Sequence, residues 1–79
     1  MKVKKEMPES IDVHLNLGSV YGRMGQKGLS HFYYGRHFEL KGDRENALRH
    51  FKTALGFLEN GSSEQEEAQR EIKELTQKK

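Results

Sequence analysis

Four histidines (His14, His31, His37 and His50) and a set of glutamates towards the C-terminus are the side chains of this 79-residue chain whose types could do chemistry. A protein metal site needs ligands that converge, through i, i+4 spacing on a helix or through the fold. His31 and His37 lie six apart, about 600° around a helix, so they face different ways. His50 stands beside Phe51, on the rim of its helix. Glu66-Glu67 and Glu71-Glu74 could in principle act as acid–base pairs, but on a helix they make a solvated face. The chain has no cysteine, which excludes thiolate metal sites, a thiol nucleophile and disulfide staples. No glycine follows a strand in a GxGxxG or GxxxxGK pattern, so no phosphate cradle is expected. These residues predict no catalytic residue, no metal and no cofactor, and hence no enzyme within the chain itself.

The elements that position these groups are helices. Val13, Leu17, Val20, Tyr21 and Met24 fall at i, i+4, i+7, i+8 and i+11, predicting a helix from about Ser10 to Met24, stopped by Gly25. A second runs from about Lys27 to Lys41 and ends at Gly42. Asp43 is a helix N-cap candidate, and Ala47, Leu48, Phe51, Ala54, Leu55 and Leu58 make one face of a third helix ending at Asn60-Gly61. Ser63-Glu64-Gln65-Glu66 has a capping-box pattern, after which only Ala68, Ile72 and Leu75 are apolar, a narrow stripe suited to a capping helix over 63–78. Connections of two to five residues predict antiparallel neighbours, with residues 1–9 as a flexible N-terminal segment. The fold class expected is all-α: four antiparallel helices.

The chain also repeats itself. His14-x-x-Leu17-Gly18-x-x-Tyr21-x-x-x-Gly25 aligns with His31-x-x-Tyr34-Gly35-x-x-Phe38-x-x-x-Gly42, every pair 17 residues apart. A glycine inside a helix costs about 1 kcal/mol relative to alanine, so two at the same register predict close helix approach at Gly18 and Gly35. His14 and His31 occupy equivalent positions, which predicts packing at helix interfaces. The string Tyr34-Gly35-x-x-Phe38-x-x-x-Gly42-x-x-x-x-Ala47-x-x-x-Phe51-x-x-Ala54-Leu55 resembles the tetratricopeptide (TPR) repeat, a 34-residue helix–turn–helix unit. The register gives one full repeat over 28–61, preceded by a degenerate half repeat over 10–27. Glu59 replaces the family's terminal proline, and His31 stands at its tryptophan-type position. Residues 13–58, through His31-Phe32-Tyr33-Tyr34-Gly35 and Asn46-Ala47-Leu48-Arg49-His50-Phe51, are also similar to the C-terminal TPR tail of bacterial HExxH zinc metallopeptidases of the cell envelope. The HExxH motif itself is absent.

The resemblance implies a fragment of a right-handed superhelix with a groove lined by first-type helices, reading a peptide or protein segment. It places Leu29, Phe32, Tyr33, Arg36, Glu39 and Leu40 on the groove from the second helix, and Asp12, Leu15, Asn16, Ser19 and Arg23 from the first. Such a mixture suits a ligand with an apolar residue near a carboxylate, which Arg36 or Arg23 could pair bidentately. The full lysine/asparagine/arginine set of a chaperone-type carboxylate clamp cannot be assembled. Stacked repeats bury a continuous core with three or more units, so one and a half repeats call for completion by a parent catalytic domain or a second copy in a homodimer. The glycine-rich first helix is where that contact is expected. A self-associating scaffold is therefore the alternative to a peptide-binding module.

Composition agrees with a binding module and narrows little else. Hydrophobic and charged residues each make up 33% of the chain and mean hydropathy is −0.97, so one small domain and no membrane-spanning helix are expected. Residues 1–57 carry ten Lys/Arg against six Asp/Glu, and residues 58–79 four against six. Neither part has the dense basic patch of a nucleic-acid footprint; Lys2, Lys4 and Lys5 with Tyr33 and Arg36 are too sparse for one. The basic start, MKVKKEMPES, has no apolar stretch after it and predicts no export signal. The metallopeptidase resemblance implies the bacterial envelope or periplasm; without it the cytoplasm is the expectation.

Overall fold

The computed structural model describes residues 6–77. These form four helices: α1 (Glu6–Arg23), α2 (Lys27–Lys41), α3 (Arg44–Phe57) and α4 (Ser63–Gln77). No strand occurs among the described residues, and the fold is all-α. Each helix packs on the next in chain order as an antiparallel hairpin, and α4 also touches α2. Residues 1–5, part of the expected N-terminal segment, lie outside the described residues, as does the Asp12 side chain. The helix expected from Ser10 begins earlier, at Glu6.

The three turns follow the turn residues. Gly25, Gly42 and Gly61 all have φ near +83° (82°, 83° and 83°), a conformation that a side chain disfavours and that ends a helix cleanly. Asp43 caps α3, its Oδ1 accepting from the Asn46 N–H at 3.2 Å and its Oδ2 from Asn46 Nδ2 at 2.7 Å. At α4 the cap is Ser62, not Ser63: its Oγ accepts from the Gln65 N–H at 3.1 Å. Gln65 Oε1 in turn accepts from the Gly61 N–H at 2.8 Å. Ser62 thus takes the cap role expected of Ser63, and the Gln65 side chain reaches back past it to the turn at Gly61.

The core sits between α2, α3 and α4. Phe32, Ala47, Phe51, Ala54, Ala68 and Leu75 are buried, with Tyr33, Phe38, Leu48, Leu55, Leu58 and Ile72 packed around them. α2 receives α3 through its glycines. A Cβ on Gly35 would stand 2.9 Å from the Phe51 ring, and one on Gly28 would stand 2.9 Å from Leu58 Cδ2. Phe51 and Leu58, seven residues apart, thus seat against glycines that are also seven apart on the antiparallel neighbour. Burying the Phe51 ring, which is 0% exposed, contributes about 2–3 kcal/mol.

α1 docks at the close approach expected of Gly18, and part of its apolar set stays exposed: Val13 is 51%, Val20 42% and Met24 61% exposed. The face turned to α2 is the glycine face. A Cβ on Gly18 would meet the Tyr34 ring at 2.9 Å, and one on Gly22 the Ser30 Oγ at 3.1 Å. The buried Ser30 hydroxyl donates to the Gly18 carbonyl at 2.7 Å. Close backbone approach with a buried hydrogen bond selects this face, and it leaves Val13, Val20 and Met24 about 120–160° around the helix from Gly18.

Candidate functional site

The site is centred on Tyr33, and α1 builds half of it. His14 and Tyr21, seven residues apart on one face of α1, both stack on the Tyr33 ring, with centroids 5.9 and 5.6 Å away and interplanar angles of 20° and 10°. All three rings are half-buried. Phe32 meets Tyr33 edge-on at 5.1 Å. Burial, reinforced by Tyr21 and the Glu64 carboxylate, pushes the Tyr33 phenol above its usual value of 10.0. It therefore stays a neutral hydroxyl at physiological pH, able to donate or accept a hydrogen bond at the edge of an apolar ring platform.

α4 closes one end of this platform. Arg36 is salt-bridged to Glu67 of α4, each side chain about one-third exposed (31% and 33%). One turn on, Glu39 stands against Glu71. Burial, with the Glu71 hydrogen bond and charge added, raises the Glu39 carboxyl to about 7 from its ordinary 4.5. The expected ligand-facing stretch Arg36–Glu39 is thus engaged by the capping helix, and Leu40 beyond it is 48% exposed.

The other end opens into a cleft of about 420 Å³ between the α1–α2 and α3–α4 turns, whose walls include Lys27, Leu29, Phe57, Leu58, Glu59 and Glu64. Leu29, one turn before Tyr33, and Glu64, whose charge acts on Tyr33, join the platform to this cleft. Phe57 is 55% exposed there, with the Lys27 ammonium 5.6 Å over its ring.

Of the residues expected on the groove, Leu29, Tyr33, Arg36 and Glu39 share one face of α2, all four half-buried. Phe32 does not: at 3% exposed it is a core residue, its ring edge-on to Phe51 at 6.0 Å. Asn16 and Arg23 are exposed but lie about 160° and 140° around α1 from the Gly18 contact, so they point away from Tyr33. Their place is taken by His14 and Tyr21, which the groove expectation omitted. Tyr21 counted there as part of an apolar stripe; the available signal was the 17-residue repeat, which pairs His14 and Tyr21 with two α2 residues that both pack at a helix interface.

The remaining histidines also sit at helix contacts. His31 and His50 bring their Nδ1 atoms to 2.9 Å across α2 and α3, a convergence that the sequence spacing did not show. Buried His37 meets Phe38 edge-on at 5.1 Å. Among the described residues no group of three or more His, Cys, Asp or Glu could hold a metal ion, and no helix is long and apolar enough to cross a membrane. No protein-family model matches the chain, and neither a curated protein nor a solved structure is significantly similar to it.

Proposed function

We propose that the chain is a non-catalytic, TPR-like binding module that holds a short protein segment along α2, from the His14/Tyr21/Tyr33 platform to the cleft beside Leu29 and Phe57. The observation that carries this reading is that platform: three stacked, half-buried rings opening onto a cleft lined by both apolar and charged side chains. Concave surfaces that mix apolar walls with a few placed polar groups suit ligand binding. Support for the TPR likeness comes from the small-residue contacts, with Gly35 against Phe51 and with Ala47 and Ala54 fully buried. The ligand has an apolar side chain for the platform and a carboxylate that competes with Glu67 for Arg36. In its sharpest form the module is a docking or regulatory tail of a zinc metallopeptidase, whose chemistry would lie outside this chain.

An unbiased peptide-display selection on the purified chain, counter-screened with Tyr33→Ala/Arg36→Glu, tests the reading. Enrichment of a motif that the double variant loses supports it. A folded chain that enriches nothing refutes it.

A second reading, self-association, is favoured by the exposed stripe of Val13, Val20 and Met24 with half-buried Leu17 on α1. Its 4-3-4 spacing is that of a coiled-coil seam. Sedimentation equilibrium decides it: mass that grows with concentration, and falls back in Val20→Glu, supports a second copy on this face.

A further inference from the structure

We propose that His31 and His50 form an acid-sensitive switch, holding α3 on α2 while they share a proton and parting, at the Phe57 wall of the cleft, once both rings are charged. Their Nδ1 atoms face each other at 2.9 Å. The ring centres are 5.2 Å apart and the planes 25° from parallel, so the nitrogens meet head-on, along the line of centres. Such a contact needs one N–H and one lone pair. It therefore exists only while at least one of the two rings is neutral.

The two rings titrate as one coupled pair. A first proton adds at Nε2 of the donating ring and leaves the shared bond in place, now charge-assisted and stronger. A second must take the Nδ1 lone pair that is accepting, and two N–H groups then point at each other. Burial, with His31 and Arg49 nearby, holds His50 below the ordinary histidine value of 6.5, which makes His50 the accepting ring.

Nothing around the pair offsets the second charge. Among the described residues, the charged groups that act on His50 are His31 from α2 and Arg49 from α3, and no carboxylate of α4 joins them. Its other neighbours are the tilted Tyr34 ring at 5.5 Å and the Phe38 ring, stacked at 5.4 Å and 5°. His31 stacks on Phe57 at 6.5 Å, and the Lys27 ammonium lies 5.6 Å over that same ring. A doubly protonated pair thus joins two further cations. His50 is half-buried, so its ring can turn off Phe38 into water, where hydration meets its charge. The row His50–His31–Phe57 that braces the cleft wall is then broken. Because folded His50 takes up its proton at lower pH than the unfolded chain does, the stability lent by the contact is complete above 6.5 and lost as the pH falls below it. The switch needs no ligand, so it stands apart from the peptide reading.

The test uses the whole chain, ¹⁵N-labelled, with imidazole nitrogen shifts followed by NMR from pH 8 to pH 4. At pH 8 one ring of the pair should carry its proton on Nδ1 and the other on Nε2. His50 should be the later of the two to charge, and the Phe57 ring resonances should move in step with it. His31→Gln, whose amide oxygen can accept from a protonated His50, should move the His50 titration to higher pH. His50→Phe keeps an aromatic ring on Phe38 but takes up no proton, so between pH 7.5 and pH 5 its thermal midpoint should fall less than that of the wild type. Both rings protonated on Nε2 at pH 8, Phe57 resonances that stay fixed, a His50 titration unmoved in His31→Gln, or equal midpoint losses in wild type and His50→Phe overturns the proposal. The wild-type titration decides even where a variant fails to fold.

Discussion

The same substitution, glycine to alanine, has opposite consequences at two helical positions of this protein. Inside a helix alanine is favoured by about 1 kcal/mol. Gly56, in the last turn of α3, is exposed and has nothing within 4 Å of where a Cβ would go, so Gly56→Ala collects that gain in full. At Gly35 the new Cβ would lie 2.9 Å from both Cδ1 and Cε1 of Phe51 and 3.0 Å from Cγ. That is roughly 0.7 Å inside an ordinary carbon–carbon contact. The ring cannot retreat easily, because Phe51, Ala47 and Ala54 are all 0% exposed and Phe32 closes its edge. Overpacking of this kind costs about 1–3 kcal/mol, and here the upper part of that range applies. Set against the propensity gain, Gly35→Ala should destabilise by about 1–2 kcal/mol and differ from Gly56→Ala by about 2–3 kcal/mol. In a domain of this size each kcal/mol moves the thermal midpoint by about 4–8 °C. Thermal and urea melts followed by circular dichroism at 222 nm read both variants directly. Equal shifts of the same sign would refute the claim that Gly35 is a packing contact.

Three further outcomes follow from individual contacts. Ser30→Ala removes the buried hydrogen bond to the Gly18 carbonyl and should cost about 1 kcal/mol, with amide exchange accelerated in α1 more than in α3; uniform acceleration would contradict the placing of this bond at the α1–α2 contact. Glu39 holds a proton in the folded chain up to about pH 7 that the unfolded chain releases near its ordinary 4.5. Its contribution to stability is therefore complete below 4.5 and lost as the pH rises through 7. Among Arg36, Glu71 and Glu74, which act on it, the two carboxylates oppose its ionisation, so Glu39→Gln should stabilise at pH 8 by up to ~1 kcal/mol, screened by partial exposure, and change little at pH 4.5; a gain at pH 4.5 equal to that at pH 8 would count against it. Glu67→Gln frees Arg36 from its salt bridge and should tighten a carboxylate-bearing peptide severalfold by isothermal calorimetry, whereas weaker binding would assign the peptide's charge the opposite sign.

Much of the fold was legible because local signals agreed with the tertiary packing. The αL turns at Gly25, Gly42 and Gly61, the Asp43 cap and the α3 and α4 apolar faces all rest on neighbouring residues. The close approaches at Gly18 and Gly35 were legible through the repeat, since two helices bear a costly glycine at the same register only for a reason. What the pattern left open was how the rest of α1 divides between contact and exposure. Val13, Leu17, Val20, Tyr21 and Met24 read as one apolar set, but contact with α2 is governed by how near two backbones can come; Gly18 and Gly22 allow it, and Val13, Val20 and Met24 stay exposed. Docking through that glycine face also carries Asn16 and Arg23 away from Tyr33 and brings His14 and Tyr21 onto it. Phe32 was ambiguous for a related reason: an aromatic next to Tyr33 can face a groove or the core, and the space opened by Gly35 and filled by Phe51 draws it inward. The His31–His50 pair depends on the α2–α3 register, which no local spacing encodes.

The central claim is that a protein segment lies on the Tyr33 platform. Chemical-shift mapping tests it most directly, by titrating the ¹⁵N-labelled chain with the peptide that display enriches. The account predicts that the largest perturbations fall on His14, Tyr21, Leu29, Tyr33 and the Arg36 side chain, and extend to Phe57 and Glu64 in the cleft. Perturbations confined to Val13, Val20 and Met24, or to the outer faces of α3 and α4, would contradict it and place the binding surface elsewhere.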